Sequence, residues 1–308
     1  MFIEQTIQGK NSLWRYLLGL ILVIAFVVLA NFPIVLIQAL FKEDLLLPSG
    51  TTNTGYMTPN SELLIQLFPF ITGFCGILLV VKWIHHRPIL SLVTPTLRFD
   101  GSRFFFSFGL WFGLTFVAEL FFYLYQPEQY TFQLQWENFA ILLCIALFIL
   151  PIQTSFEELL IRGYLMQGIG LATRFRWIPL LATSLLFGFL HGANPEIEKY
   201  GWGIMMVFYI SVGLFAGILT LMDDRLELAL GMHAANNIYG AVLVSYEGSA
   251  LSTPSLFTVN TLAPLTMYLM FLISAILYVI IINKKYQWKS WKSLLQKIDP
   301  QEIRQALD

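Results

Sequence analysis

Charge is what this sequence most lacks. Asp, Glu, Lys and Arg make up 12% of its 308 residues, about half the roughly 25% that a soluble domain carries. So few charges cannot clothe a water-facing surface, which excludes an ordinary soluble globular fold. The 18 basic and 19 acidic residues leave a formal net charge of −1. No global field therefore exists to gather a polyanion, and no nucleic-acid partner is expected. Cysteine is almost absent. Cys75 and Cys144 both fall inside apolar runs and read as small core residues without a disulfide framework. Neither has a partner nearby in sequence, and no Ser-His-Asp set is visible, so covalent nucleophilic catalysis is disfavoured.

Apolar sequence is what the chain has in abundance. It is 57% hydrophobic and 16% aromatic, with a mean hydropathy of +0.69. A membrane span needs about 20 mostly apolar residues to cross a hydrocarbon core about 30 Å thick. Apolar runs occupy residues 13–41, 64–83, 104–125, a stretch from near 139, then 177–191, 203–222, 226–244 and 262–282. The expected fold is all-α: one integral membrane domain over residues 1–308, a polytopic bundle of about eight transmembrane helices. The first run is too long for a signal-peptide core and reads as a retained span. Gly109 and Gly113, and Gly213 and Gly217, have the spacing of close helix packing. Pro151 is expected to kink its helix by freeing a backbone carbonyl.

Basic residues in the loops set the orientation. With eight spans and the N-terminus inside, one side holds Lys10, Arg15, Lys82, Arg87, Arg98, Arg103, Arg174, Arg176 and Arg225, and the tail adds Lys284, Lys285, Lys289, Lys292, Lys297 and Arg304. The other side holds only Lys42 and Lys199. Both termini are therefore expected in the cytoplasm, with residues 284–308 a basic cytoplasmic tail. Trp288 and Trp291 interleave with its lysines. That suits either an interfacial segment on an anionic leaflet or a solvated basic tail.

Three of these runs carry polar residues that lipid does not tolerate cheaply, which makes them functional candidates. The first cluster contains Glu157, Glu158 and Arg162. On a helix Glu158 and Arg162 are one turn apart and can pair, while Glu157 is rotated about 100° away and is free for another role. Different environments for neighbouring carboxylates are how acid and base roles are divided. The second cluster is Phe187 to His191, and the third holds His233 and Asn237, again one turn apart. Only four histidines occur in the chain. His85 and His86, beside Arg87, read as an inert interfacial pair. Depth restrains how the others can meet. At 1.5 Å per residue, His191 lies about 21 Å along its helix from Trp177, and Glu157 a similar distance from Leu171, where its helix is expected to end before a turn at Arg174. His233 is only about 10 Å beyond Leu226, so its helix must tilt or begin irregularly.

Taken in order, Glu157-Glu158-x-x-x-Arg162, Phe187-x-x-x-His191 and His233-x-x-x-Asn237 resemble the CPBP family of intramembrane proteases. That family includes type II CAAX prenyl endopeptidases and the bacterial Abi and bacteriocin-immunity relatives. The resemblance covers residues 139–244, which it marks as the catalytic core. It implies that Glu157 and His191 activate a water. His233 and Asn237 would then stabilise the oxyanion, with Glu158, Arg162 and Phe187 in support. Its substrate would be a membrane-associated or lipidated protein or peptide, met within the lipid bilayer. The expected setting is a bacterial plasma membrane.

The residues agree with that chemistry, since a glutamate in low dielectric makes a competent base for a hydrolytic water. No cofactor is expected. Zinc is the alternative, because Glu157, His191 and His233 form a His₂Glu donor set, although HExxH spacing is absent. Two other functions stay open. One is a non-catalytic membrane immunity or scaffold protein; the other is a proton-coupled carrier, disfavoured by the lack of an inverted repeat.

Overall fold

The computed structural model of the chain describes residues 2–41 and 58–298. Lys42 and Arg304, which enter the charge comparison above, lie outside them. Helix α1 (Leu13–Phe41) leads to α2 (Pro59–Leu79), which ends in a π-helical turn at Val80–Ile84. After α3 (Gly101–Tyr125) come α4 (Trp136–Phe148), α5 (Leu150–Glu158) and α6 (Met166–Thr173), consecutive pieces of one rod spanning Trp136–Thr173. Then follow α7 (Trp177–Leu190), a short α8 (Pro195–Tyr200), α9 (Trp202–Asp223), α10 (Glu227–Val242) and α11 (Pro264–Tyr286). The all-α polytopic bundle is thus as expected. Starts are set locally: Thr58 Oγ1 accepts from Ser61 N ahead of Pro59, and Asp100 accepts from Arg103 N.

Among the described residues six helices are long and apolar enough to cross a membrane. The two shorter legs are α7 and α10, of 14 and 16 residues, about 21 and 24 Å long. They carry His191 and His233. Helix α10 is buried on nearly every side, packed on α3, α5 and α9. An interior helix need not be apolar towards lipid, which explains why the least hydrophobic leg is tolerated. The bundle's outside is apolar instead, with Phe105, Phe121, Leu124 and Ile276 exposed. Cys75 and Cys144 belong to that outer face and are not core residues. The two glycine pairs also part company. A Cβ on Gly213 would sit 2.9 Å from the Ser184 carbonyl, so α7 and α9 pack tightly there. Around Gly109 and Gly113 nothing lies within 4 Å.

Both described chain ends lie at one end of the bundle, where polar contacts join α3, α7, α9 and the C-terminal tail. Arg103 pairs with Asp100 at 2.9 Å and Asp223 at 3.0 Å, Trp288 Nε1 donates to Asp223, and Arg176 pairs with Asp224. The tail docks on protein: Ile298 N donates to the Arg174 carbonyl, and Ile298 is buried. Its lysines at 289, 292 and 297 point outward. His85 is also at this end, but it is fully buried and not the interfacial residue expected. At the opposite end Tyr130–Phe132 (β1), Val244–Tyr246 (β2) and Phe257–Val259 (β3) form a small sheet in the order β1-β3-β2, antiparallel then parallel. Nothing in the sequence periodicity announced it.

Candidate active site

The rod from Trp136 to Thr173 is broken twice, and the site lies between the breaks. Pro151 cannot donate a backbone bond, so the helix gives way at Ile149, whose carbonyl receives the amides of both Ile152 and Gln153. The disturbance expected at Pro151 takes the form of an interruption between α4 and α5. The second break is a π-helical turn at Leu159–Leu165, starting just after Glu158. Such turns favour functional sites because the extra residue re-aims side chains.

Arg162 folds back from that turn onto Glu158, 2.8 Å away, and both side chains are almost entirely buried. The guanidinium also donates to the Gly213 carbonyl at 3.1 Å and lies 4.4 Å over the Phe187 ring. The close approach of α9 at Gly213 makes the carbonyl contact reachable. The same Glu158 oxygen is 2.7 Å from His233 Nδ1. A carboxylate can only accept, so Nδ1 carries a proton. Glu158 thus orients the imidazole while Arg162 balances its charge, and His233 Nε2 points to Glu157 Oε2 at 3.5 Å.

Glu157 faces elsewhere, as its rotation on the helix requires. Its Oε1 accepts from Gln153 Nε2 at 2.7 Å, while Oε2 is buried without a hydrogen-bond partner. Gln153 Oε1 in turn accepts from Asn237 Nδ2 at 3.0 Å. His191 caps α7, and its ring lies between Phe187 at 4.4 Å and Tyr209 at 4.5 Å. Its Nδ1 lies 2.8 Å from the Phe187 carbonyl, which makes Nδ1 the donor and leaves the Nε2 lone pair open.

The structure joins Glu157, Glu158, Arg162, His233 and Asn237 in one hydrogen-bonded and ionic cluster. His191 adjoins it through Phe187, whose ring is 6.1 Å from that of His233. Packing of α10 against α5 brings His233 to the two glutamates. Among the described residues no three His, Cys, Asp or Glu side chains are grouped to hold a metal ion. His233 donates Nδ1–H to Glu158, which leaves Nε2 as the nitrogen that faces Glu157. Sequence reasoning missed Gln153, Asn236, Trp111 and Tyr209. Only Gln153 offered a signal, standing one turn before Glu157 on the same face.

A family model described as type II CAAX prenyl endopeptidase Rce1-like matches residues 136–239. The chain is 31% identical over 259 residues to the uncharacterized protein YyaK of Bacillus subtilis, an alignment covering 82% of this chain and 86% of that relative. No solved structure matches. Every residue of the cluster falls within the matched segment.

Proposed function

The chain belongs to the Rce1-like family of type II CAAX prenyl endopeptidases, and we propose that this integral multi-pass membrane protein hydrolyses a peptide bond with a water activated by Glu157. One observation carries the assignment. Glu158 is held through one oxygen by the Arg162 guanidinium and His233 Nδ1, whereas Glu157 turns a buried oxygen without a hydrogen-bond partner towards His233 Nε2, 3.5 Å away. A buried carboxylate oxygen left open is costly unless something binds it, and a water is the reagent that hydrolysis needs there.

In this mechanism Glu157 Oε2 takes a proton from water as the oxygen attacks the scissile carbonyl carbon. The negative charge that builds on the carbonyl oxygen is met by N–H groups of Asn237 and His233. Glu158 steadies His233 by accepting from Nδ1, so that Nε2, when protonated, can donate. As the C–N bond breaks, Glu157 returns its proton to the leaving amine. His191 shares in orienting the water through its open Nε2. No step uses a metal. The substrate is a protein or peptide segment presented within the membrane, lipidated or simply membrane-associated, and a bacterial plasma membrane is the proposed setting.

The test is cleavage itself. Protein purified in detergent should convert a prenylated CAAX peptide, or members of an unmodified membrane-peptide library, into discrete endoproteolytic products read by mass spectrometry. Folded protein that cleaves nothing in either set would overturn the enzyme reading in favour of a scaffold.

A further inference from the structure

Four side-chain hydrogen bonds run in one direction into the site. Trp111 Nε1 lies 3.3 Å from Asn236 Oδ1, and Asn236 Nδ2 lies 3.2 Å from Asn237 Oδ1. Asn237 Nδ2 lies 3.0 Å from Gln153 Oε1, and Gln153 Nε2 lies 2.7 Å from Glu157 Oε1. An isolated amide has no preferred sense, because turning it over exchanges O and N at almost no change of shape. Here both ends dictate the sense. An indole N–H can only donate and a carboxylate can only accept. Reversing any one of the three amides would set N–H against N–H or oxygen against oxygen.

The two ends are also held. Trp111 is buried against Phe215, Phe271 and Tyr278, with ring centroids 5.2–5.9 Å apart. Gln153 is buried on α5. We propose that Trp111, Asn236 and Gln153 are positioning residues, forming a one-way donor chain that turns the N–H side of Asn237 towards the reacting carbonyl and ties it to Glu157. This rests on the reading of Glu157 as base and Asn237 as oxyanion donor. Asn237 Nδ2 has two N–H groups; Gln153 holds one, and the other is left for the substrate. Turned over, Asn237 would offer a carbonyl oxygen to a developing negative charge. Each link also polarises the next, so the chain's positive ends point towards Glu157.

Asn236 allows a clean test, because it is exposed and lies outside the motif. Asn236→Asp keeps the acceptor for Trp111 but cannot donate to Asn237 when ionised, so it favours the wrong sense. We expect kcat to fall about tenfold in Asn236→Ala, the worth of one ordinary hydrogen bond, and further in Asn236→Asp. KM and thermal midpoint should hardly change. Gln153→Leu should behave likewise, and the double variant with Asn236→Ala should be no worse than the poorer single. A second readout needs no substrate: the infrared carboxylate stretch of Glu157, assigned by its loss in Glu157→Gln, should move in Gln153→Leu and in Asn236→Asp. Unchanged kcat and an unmoved band, with Glu157→Gln inactive, would overturn the chain and leave the base assignment standing. An active Glu157→Gln would overturn both.

Discussion

Two of the polar clusters that the bundle buries are finished differently. At the terminal end, His85 Nε2 is 2.9 Å from the Tyr164 hydroxyl and Nδ1 is within 3.1 Å of the Lys10 carbonyl and Asn11. Arg87 reaches Tyr16, Ser91 and Gln167, and Gln167 donates to the Phe2 and Ser91 carbonyls. None of the buried polar atoms of His85, Arg87, Gln167 or Tyr164 lacks a partner. In the site, by contrast, Glu157 Oε2, Glu158 Oε2 and Arg162 Nε are buried without a hydrogen-bond partner. A buried histidine or arginine does not by itself mark chemistry. What separates these two clusters is unspent hydrogen-bonding capacity, which is costly for a buried group.

Glu158→Gln should have the largest effect on folding. It leaves Arg162 buried without a counter-charge, a loss of about 3 kcal/mol or more. Thermal midpoint, folded yield and cleavage should fall together; a fully stable Glu158→Gln would erase the distinction between the two carboxylates. Asn237→Ala should cost about 10²–10³ in kcat, as loss of one oxyanion donor does, with little change in thermal midpoint. A loss of stability equal to that of Glu158→Gln would mark Asn237 as structural.

The terminal cluster should answer in the opposite way. His85→Phe keeps the ring beside Tyr16 and Tyr164 but leaves their hydroxyl and carbonyl partners unsatisfied, about 1–3 kcal/mol of stability, with cleavage unchanged. Burial first, and then the Arg87 charge, lowers the His85 pKa from 6.5 to about 4. The unfolded chain therefore binds a proton that the folded chain does not across that window. Stability from this source is complete above about pH 6.5 and is lost as pH falls towards 4. Melting curves of the wild type should show this acid sensitivity, and His85→Phe should lack it. The smallest effect expected is none: excess EDTA should leave cleavage unchanged, and one tightly held metal per chain that tracks with activity would contradict the mechanism.

Much of the site was legible because its signals are local. Glu158 and Arg162 pair through spacing alone, and Pro151 breaks its helix through a missing N–H. Packing decisions between distant segments were not legible. Gly109 and Gly213 carry the same motif, but only Gly213 meets a neighbour, since which helix face turns to lipid depends on the whole bundle. Cys75 and Cys144 misled for a related reason: apolar residues in a membrane protein can face outward as readily as inward. His85 gave no sign of burial because its partners, Lys10, Asn11 and Tyr164, are 74 to 79 positions away. Gln153 and Asn237 are 84 apart, so the link between base and oxyanion donor exists only once α5 and α10 pack.

The central claim is that Glu157, alone of the two adjacent carboxylates, moves the proton. Glu157→Gln keeps the shape and the contact from Gln153 while removing the base. Measured beside the wild type on the same cleaved peptide, it should show no product above background at an unchanged thermal midpoint. Cleavage by folded Glu157→Gln at a rate near that of the wild type would contradict the account.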